Sequence, residues 1–467
     1  MRDGGYLAIE AVYSRGDLIA LHSRYIGAKS RGRFLAPRPR PPLTHHDKDD
    51  LTMPSLDALT PDRERLAADL DGLTAIRDPD QKGWTRTVFS EPYRVSRDWV
   101  RARMQDAGLQ THTDPAGNLV GVLPGHNPSA PALVTGSHTD TVKAGGRFDG
   151  VVGVFGALEV VRILGENDIH LDRDLIVVDF LGEETNDHGL GCLGSRALAG
   201  ELSVPDLDRP DHSGVRLGDR YAAFGLDPSS VFAAATRFAP RGMHRYVELH
   251  IEQGPVLEDH RTPIGVVTGI AAIQRLVATF LGRADHAGTT PMQVRRDALA
   301  AAAAAVLAVR QEGCGAPVHG VATTSRVDTA PGSPNVVPAR AQIHAEMRSV
   351  DTAWLSKAQH RLGARIVEQA SELGVDADLS WSTDNDYARV DASVQHVISA
   401  TTEGLGFEWE PIPSGATHDA AHIARLCPMG MIFVPSRAGR SHCPEEWTEL
   451  DDILTGVRVL GATLLTM

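Results

Sequence analysis

Cysteine is scarce in this chain of 467 residues: there are four, Cys192, Cys314, Cys427 and Cys443, and no CxxC pair among them. That scarcity excludes a disulfide framework and a thiolate zinc knuckle, and it fits a reducing compartment. Long apolar runs are also missing. None approaches the ~20 residues needed to span a bilayer, and no apolar signal-peptide core follows the start, so the expectation is a cytoplasmic protein with no membrane partner. Positive charge is in deficit, with 46 Lys and Arg against 60 Asp and Glu and a formal charge of −14. This balance argues against nucleic acid or an anionic membrane as the main partner. What is present is ordinary globular material, 42% hydrophobic and 23% charged, long enough for two or three domains with an ample core.

The first 55 residues differ from the rest. Arg24 to Arg40 carries six basic residues and no acidic one, and APRPRPP from Ala36 cannot form regular structure, so residues 1–55 read as a disordered basic, Pro-rich arm. A start at Met53 is the favoured reading over a targeting or anion-binding tail. From Thr60 the pattern turns helical, with Thr60 as N-cap, Pro61 at the first helical position and Leu66, Leu70 and Leu73 on one face. A second helix is predicted over Tyr93 to Ala107, its apolar face made by Val95, Trp99, Val100 and Met104.

The middle of the chain repeats one arrangement, an apolar strand-like run followed at once by ligand-type side chains. Ala132 to Thr135 leads into GSHTDTVKAGGRFDG, with His138, Asp140 and Asp149; Leu175 to Leu181 leads into Glu183 and Glu184; Tyr246 to Leu249 leads into His250; Met431 to Pro435 leads to Ser441, His442 and Cys443. In an open α/β sheet, functional groups gather beyond the carboxyl ends of strands, so four such runs imply one site. Between the first two, Val151 to Leu164 reads as a buried crossover helix beginning beside Asp149. Between 269 and 386 the order becomes strand, helix, strand, strand, helix, strand. That βαββαβ order is the ferredoxin-like pattern, read as a lid inserted into the larger domain formed by 56–268 and 387–467.

Taken singly, these residues have plainer readings. His250 on a half-buried strand is by itself a hydrogen-bonded core histidine, Glu183–Glu184 a solvated turn, and the first loop a surface histidine with two capping aspartates. Cys443 has no nearby base and reads as packing. Together, however, the strand-end groups supply what two divalent ions need: imidazoles, carboxylates and one carboxylate able to bridge. We expect His138 and His250 on one ion, Glu184 and His442 on the other, and Asp149 between them. Asp140 is suited to orient His138, and Glu183 to take a proton from water activated by the metals. Mixed nitrogen and oxygen ligation suits zinc, with manganese, cobalt and nickel compatible.

At this point the chain resembles a known family. GSHTDTV with GGRFDG, the Glu183–Glu184 pair, ELHIEQGPVLE (Glu248 to Glu258), RADHAGTTPM (Arg283 to Met292), PGSPNVVPA (Pro331 to Ala339), SGATHDA (Ser414 to Ala420) and SRAGRSHCPEE (Ser436 to Glu446) are similar to the hydantoinase/carbamoylase amidohydrolases. These belong to the aminoacylase and carboxypeptidase clan, and the likeness runs from about Thr60 to the end. The resemblance implies an α/β, mixed-sheet, di-metal aminopeptidase-like catalytic domain with the ferredoxin-like insertion as lid and dimerisation domain. It implies the same five metal ligands, with Glu183 as general base. It further implies that His286 enters a partner subunit's site to steady the oxyanion, hence a homodimer, and that Asn335 and Arg348 bind the substrate carboxylate and adjoining polar groups.

The implied activity is removal of the carbamoyl group from an N-carbamoyl-L-amino acid or similar small ureido acid. Allantoate amidohydrolase and beta-ureidopropionase are the near alternatives, and an aminoacylase, a dipeptidase or a non-catalytic homologue the remoter ones. Departures from the family pattern fall at the pocket edge. TNDHGLGCLGS follows Glu184 in place of the usual sequence, and Thr417 stands where a glycine is usual, with His418 beside it as a further pocket residue.

Overall fold

A computed structural model describes residues 59–234 and 238–467. The arm at 1–55 and the start at Met53 lie outside the described residues. The first helix, α1 (Arg63–Thr74), buries Leu66, Leu70 and Leu73 as expected, but its N-cap is Asp62 and not Thr60. The Asp62 carboxylate accepts the Arg65 N–H at 3.0 Å, and its own N–H donates to Glu159 at 2.7 Å. A tertiary anchor thus sets the start two residues later than Pro61 implied.

The second helix, α2 (Glu91–Asp106), is capped by Ser90 and buries Val100 and Met104, with Trp99 packed on the core as expected, but its inward face takes in Tyr93 and Arg97 in place of Val95. Val95 is 37% exposed, whereas Arg97 is buried. Arg97 pays for its burial with an ion pair to Asp179 at 3.0 Å and a bond to the Asp179 carbonyl at 2.7 Å. A buried charge pair therefore shifts one edge of the face that the hydrophobic period marks out.

The large sheet has nine strands. Its central members are β1 (Ala132–His138), β2 (Leu175–Phe180), β3 (Met243–Ile251) and β4 (Met429–Val434), in the spatial order β2-β1-β3-β4 and parallel throughout. Parallel neighbours end at the same edge, so the residues after all four strands are delivered to one side of the sheet. Strands Gln110–Thr113 and Leu119–Leu123 extend it antiparallel beyond β2, and Ile264–Ile270 pairs antiparallel with β4. The sheet is therefore mixed. The crossover from β1 to β2 is α3 (Val151–Glu166), buried almost all round and packed with the C-terminal helix Leu450–Thr466 on one face of the sheet. A separate apolar cluster, including Phe180, Leu193, Tyr246 and Phe433, covers the other face.

A second, four-stranded sheet follows. Its strands are β5 (Ala272–Leu281), β6 (Val321–Ala330), β7 (Arg340–Ser349) and β8 (Asp376–Asn385), in the order β8-β5-β7-β6 and antiparallel at every junction. Helices α4 (Ala298–Cys314) and α5 (Thr352–Glu372) complete the ferredoxin-like order that the sequence predicts. The alanines of α4 at 301, 302, 305 and 308 are buried and let this helix lie close to the sheet. On β7, Ala341, Ile343, Ala345 and Met347 face the helices while Gln342, His344, Glu346 and Arg348 face away, as the alternation requires.

Candidate metal centre

The β1 end carries His138, whose Nδ1 donates to the Asp140 carbonyl at 3.1 Å. That bond places the proton on Nδ1 and leaves the Nε2 lone pair facing outward, 3.8 Å from Asp149 Oδ1 and 3.6 Å from Glu183 Oε2. His250 repeats the device: its Nδ1 donates to the Ile251 carbonyl at 2.9 Å, and Nε2 lies 3.3 Å from Asp149 Oδ1. On the other side of Asp149, His442 Nε2 lies 3.1 Å from Oδ2 and 3.5 Å from Glu184 Oε1. Two triads result, His138–Asp149–His250 and Asp149–Glu184–His442, each with its ligand atoms within 4.8 Å of one another and Asp149 common to both.

These separations are the ones metal ligation produces. Four ligands about 2.1 Å from an ion occupy a tetrahedron whose edges are about 3.4 Å, and the pairs within the triads lie from 3.1 to 3.8 Å. The ring nitrogens and facing carboxylate oxygens together favour a cation between them, and His250 Nε2 also accepts the Gly150 N–H at 3.1 Å. The electrostatics agree: although burial disfavours charge on His138, His250 and His442, the facing carboxylates raise all three above the ordinary histidine range. Asp149 is held well below the usual carboxylate range, its burial outweighed by His250 and His442. Burial pushes Glu184 up to about 7 and Glu183 well above its ordinary value. Space is tight here: Gly150 has φ +67°, and a Cβ on it would stand 2.3 Å from His138 Nε2.

Asp140 ties two of the strand ends together. Its carboxylate oxygens accept the backbone N–H groups of Glu183 at 3.1 Å and Glu184 at 3.2 Å, while one of them lies 3.5 Å from His138 Nδ1. Glu183 stands at the rim of the first triad. One oxygen faces His138, and the other accepts the Cys192 thiol at 3.6 Å.

Of the remaining expected residues, His418 packs against His250 and the others sit apart from the triads. His286 and Asn335 are exposed and adjacent: His286 pairs with Val336 in a two-residue ladder, and the Ala287 N–H donates to the Asn335 carbonyl at 3.0 Å. His286 Nδ1 accepts N–H groups of Gly288 at 3.0 Å and Thr289 at 3.2 Å, which leaves Nε2–H as an outward donor. Arg348 reaches from β7 to the SGATHDA loop, donating to the Gly415 carbonyl at 3.2 Å, with Nε on Glu346 at 2.7 Å. Thr417 donates to Asn385 at 3.1 Å. His418 is buried behind His250, ring centroids 4.5 Å apart, with Nε2 bonded to Ser414 at 2.8 Å; burial and the His250 charge hold it well below the usual histidine range, so it stays neutral. Glu248, though close to His250 and His418, has its oxygens occupied by Ser137 at 2.7 Å and Tyr246 at 2.9 Å.

Sequence reasoning assigned no role at the site to four residues. Gln253 donates to Asp149 Oδ2 at 2.8 Å, Ser441 lies 3.2 Å from the same oxygen, Glu446 accepts from Ser441 at 2.7 Å, and Cys192 supports Glu183. Gln253 and Glu446 stand three and four residues after His250 and His442, a spacing that could have flagged them. Nothing in the sequence pointed to Cys192.

A strand-end cage of this kind on this fold defines a class, and comparison with known proteins agrees with it. Residues 134–466 match the model of peptidase family M20/M25/M40, to which the chain belongs. Within that family the chain is similar to the hydantoinase/carbamoylase amidases. It is 38% identical to the N-carbamoyl-L-amino-acid amidohydrolase of Paenarthrobacter aurescens, over 81% of this chain and 92% of that protein. It is 33% identical to the ureidoglycolate hydrolase of Arabidopsis thaliana, over 87% of each. The crystal structure of a hydantoinase/carbamoylase family amidase from Burkholderia vietnamiensis superposes with a TM-score of 0.79 at 32% identity, covering 87% of this chain and 98% of that one.

Proposed function

We propose that this chain is a binuclear metal-dependent amidohydrolase that cleaves the carbamoyl C–N bond of N-carbamoyl-L-amino acids. The observation that carries the reading is Asp149 shared between two ligand triads with the spare carboxylate Glu183 beside them. His138 and His250 would hold one divalent ion and Glu184 and His442 the other, zinc being the best match to this donor set. When bound, the ions supply Lewis acidity toward the ureido carbonyl and acidify water.

The chain's own residues do the rest. Glu183 accepts a proton from the attacking water and delivers it to the leaving nitrogen, so that the amino acid departs as a free amine and carbamic acid falls to ammonia and carbon dioxide. Asp140 fixes both His138 and the Glu183 backbone. Arg348 grips the substrate carboxylate with the guanidinium edge turned away from Glu346, and Asn335 adds a polar contact. Thr417 and His418 shape the pocket floor through the SGATHDA loop. The four-stranded insertion, 269–386, serves as lid and dimerisation domain. His286, whose Nε2–H points outward, then stabilises the oxyanion in a partner subunit's site. The exposed edge strand β6 gives such a homodimer a surface to pair on.

Among the described residues no helix is long and apolar enough to cross a membrane. The four free cysteines support a reducing, cytoplasmic setting. Relatives named ureidoglycolate hydrolase and allantoate deiminase favour a second reading, a ureido acid of the allantoate type. A substrate panel separates the two. Ammonia release from N-carbamoyl-L-methionine exceeding that from allantoate is expected; release from allantoate alone overturns the first reading, and faster turnover of dipeptides overturns both.

A further inference from the structure

Of the five ligands, His442 is the least secured. Half of its side chain is exposed, and its backbone has φ +56°, a left-handed conformation that is strained for a non-glycine residue. His138, by contrast, is buried and oriented by Asp140, and His250 is buried on its strand with Nδ1 fixed. Something else must therefore bring the His442 loop to Asp149, 293 residues earlier.

The contact is made by Glu446, which is 1% exposed. One carboxylate oxygen accepts the backbone N–H groups of Phe148 at 2.8 Å and of Asp149 at 3.1 Å. The other accepts the hydroxyl of Ser441, the residue before His442, at 2.7 Å. Ser441 in turn lies 3.2 Å from Asp149 Oδ2. Gly146 clears the way, since a Cβ there would stand 2.0 Å from the Glu446 carboxyl carbon. A single buried carboxylate thus grips two of the three loops that supply the second triad, those of Asp149 and His442, and it touches neither the first triad's histidines nor Glu183.

We infer that Glu446 is a positioning residue that assembles the Asp149–Glu184–His442 site, so that losing its grip on Ser441 empties this site first and leaves the His138–His250 side loaded. The inference rests on the binuclear reading above. Outer residues that orient ligands typically govern metal affinity by 10- to 100-fold. Glu446→Gln keeps one oxygen for the two backbone N–H groups but presents an amide nitrogen to Ser441, so the charge-assisted bond from the hydroxyl gives way to a weaker neutral one in which Ser441 can only accept, with the least risk to folding. Ser441→Ala breaks the link from the other end and removes the 3.2 Å contact to Asp149 Oδ2 with it.

The test is Zn²⁺ titration of the metal-free full-length chain by calorimetry, with ion content measured after gel filtration. Wild type is expected to bind two ions. Glu446→Gln and Ser441→Ala should each weaken one binding event about tenfold or more, leave the other unchanged, and in combination weaken it no further than one alone. Two ions bound with wild-type affinities in both folded variants would overturn the inference while leaving the binuclear reading intact. If wild type itself binds fewer than two ions, that reading fails, and the inference with it.

Discussion

Replacing Glu183 with glutamine removes the proposed proton acceptor and little else. Glu183 is in neither ligand triad, and its contacts are His138 at 3.6 Å and the Cys192 thiol at 3.6 Å. Glutamine has the same shape and retains an oxygen for the thiol. General base catalysis contributes about 10²- to 10⁴-fold, so kcat should fall by that factor, an activation cost of roughly 3–5 kcal/mol. KM and ion content should stay within about twofold, because ligands and carboxylate-binding groups are untouched. The fold should not suffer. Burial already pushes the Glu183 carboxyl well above its ordinary range, meaning the folded state disfavours its charge, and a neutral amide removes that cost at pH 8. The assay is steady-state ammonia release from N-carbamoyl-L-methionine alongside thermal melting of metal-free protein. A loss of kcat below tenfold, with ion content unchanged, would refute the assignment of Glu183.

Other consequences are equally concrete. If His286 acts in the partner's site, mixing inactive Glu183→Gln and His286→Ala subunits through unfolding and refolding should restore activity to about a quarter of wild type, because half of random dimers are hybrids with one intact site each; no restoration contradicts the crossing. Arg348→Lys should raise KM about tenfold or more with a smaller change in kcat, since lysine cannot reproduce a bidentate grip; unchanged KM removes Arg348 from the substrate site. Burial raises the Asp114 carboxyl to about 6 against the Asn118 donors, so the stability its protonated form contributes is full below about pH 4 and lost as pH rises through 6. Urea unfolding should show a decline on the order of 3 kcal/mol over that interval that Asp114→Asn lacks, and parallel profiles would count against it. On α2, Val95→Ser should change stability by less than about 0.5 kcal/mol, whereas Leu73→Ala on α1 should cost about 2–5 kcal/mol.

The clustering of the five candidate ligands was legible because their runs are apolar strands, and the parallel order β2-β1-β3-β4 carries all four strand ends to one edge. The insertion was legible because its alternation on β7 and its alanine-rich helix are local signals. Long-range pairing was not. Arg97 faces inward only because Asp179 waits there, and Asp62 caps α1 because Glu159 receives its N–H. Glu446 looks like a surface glutamate in a charged loop until the fold brings it against Phe148 and Asp149. His418 reads from the sequence as a pocket residue, but that its ring stands behind His250 and bonds Ser414 appears only in the fold.

The most direct test of the account is anomalous scattering from a crystal of the full-length protein grown with zinc. Two peaks should flank Asp149 about 3.5–4 Å apart, one beside His138 and His250 and the other beside Glu184 and His442. A single peak, or a second one away from Asp149, would contradict the shared-carboxylate centre.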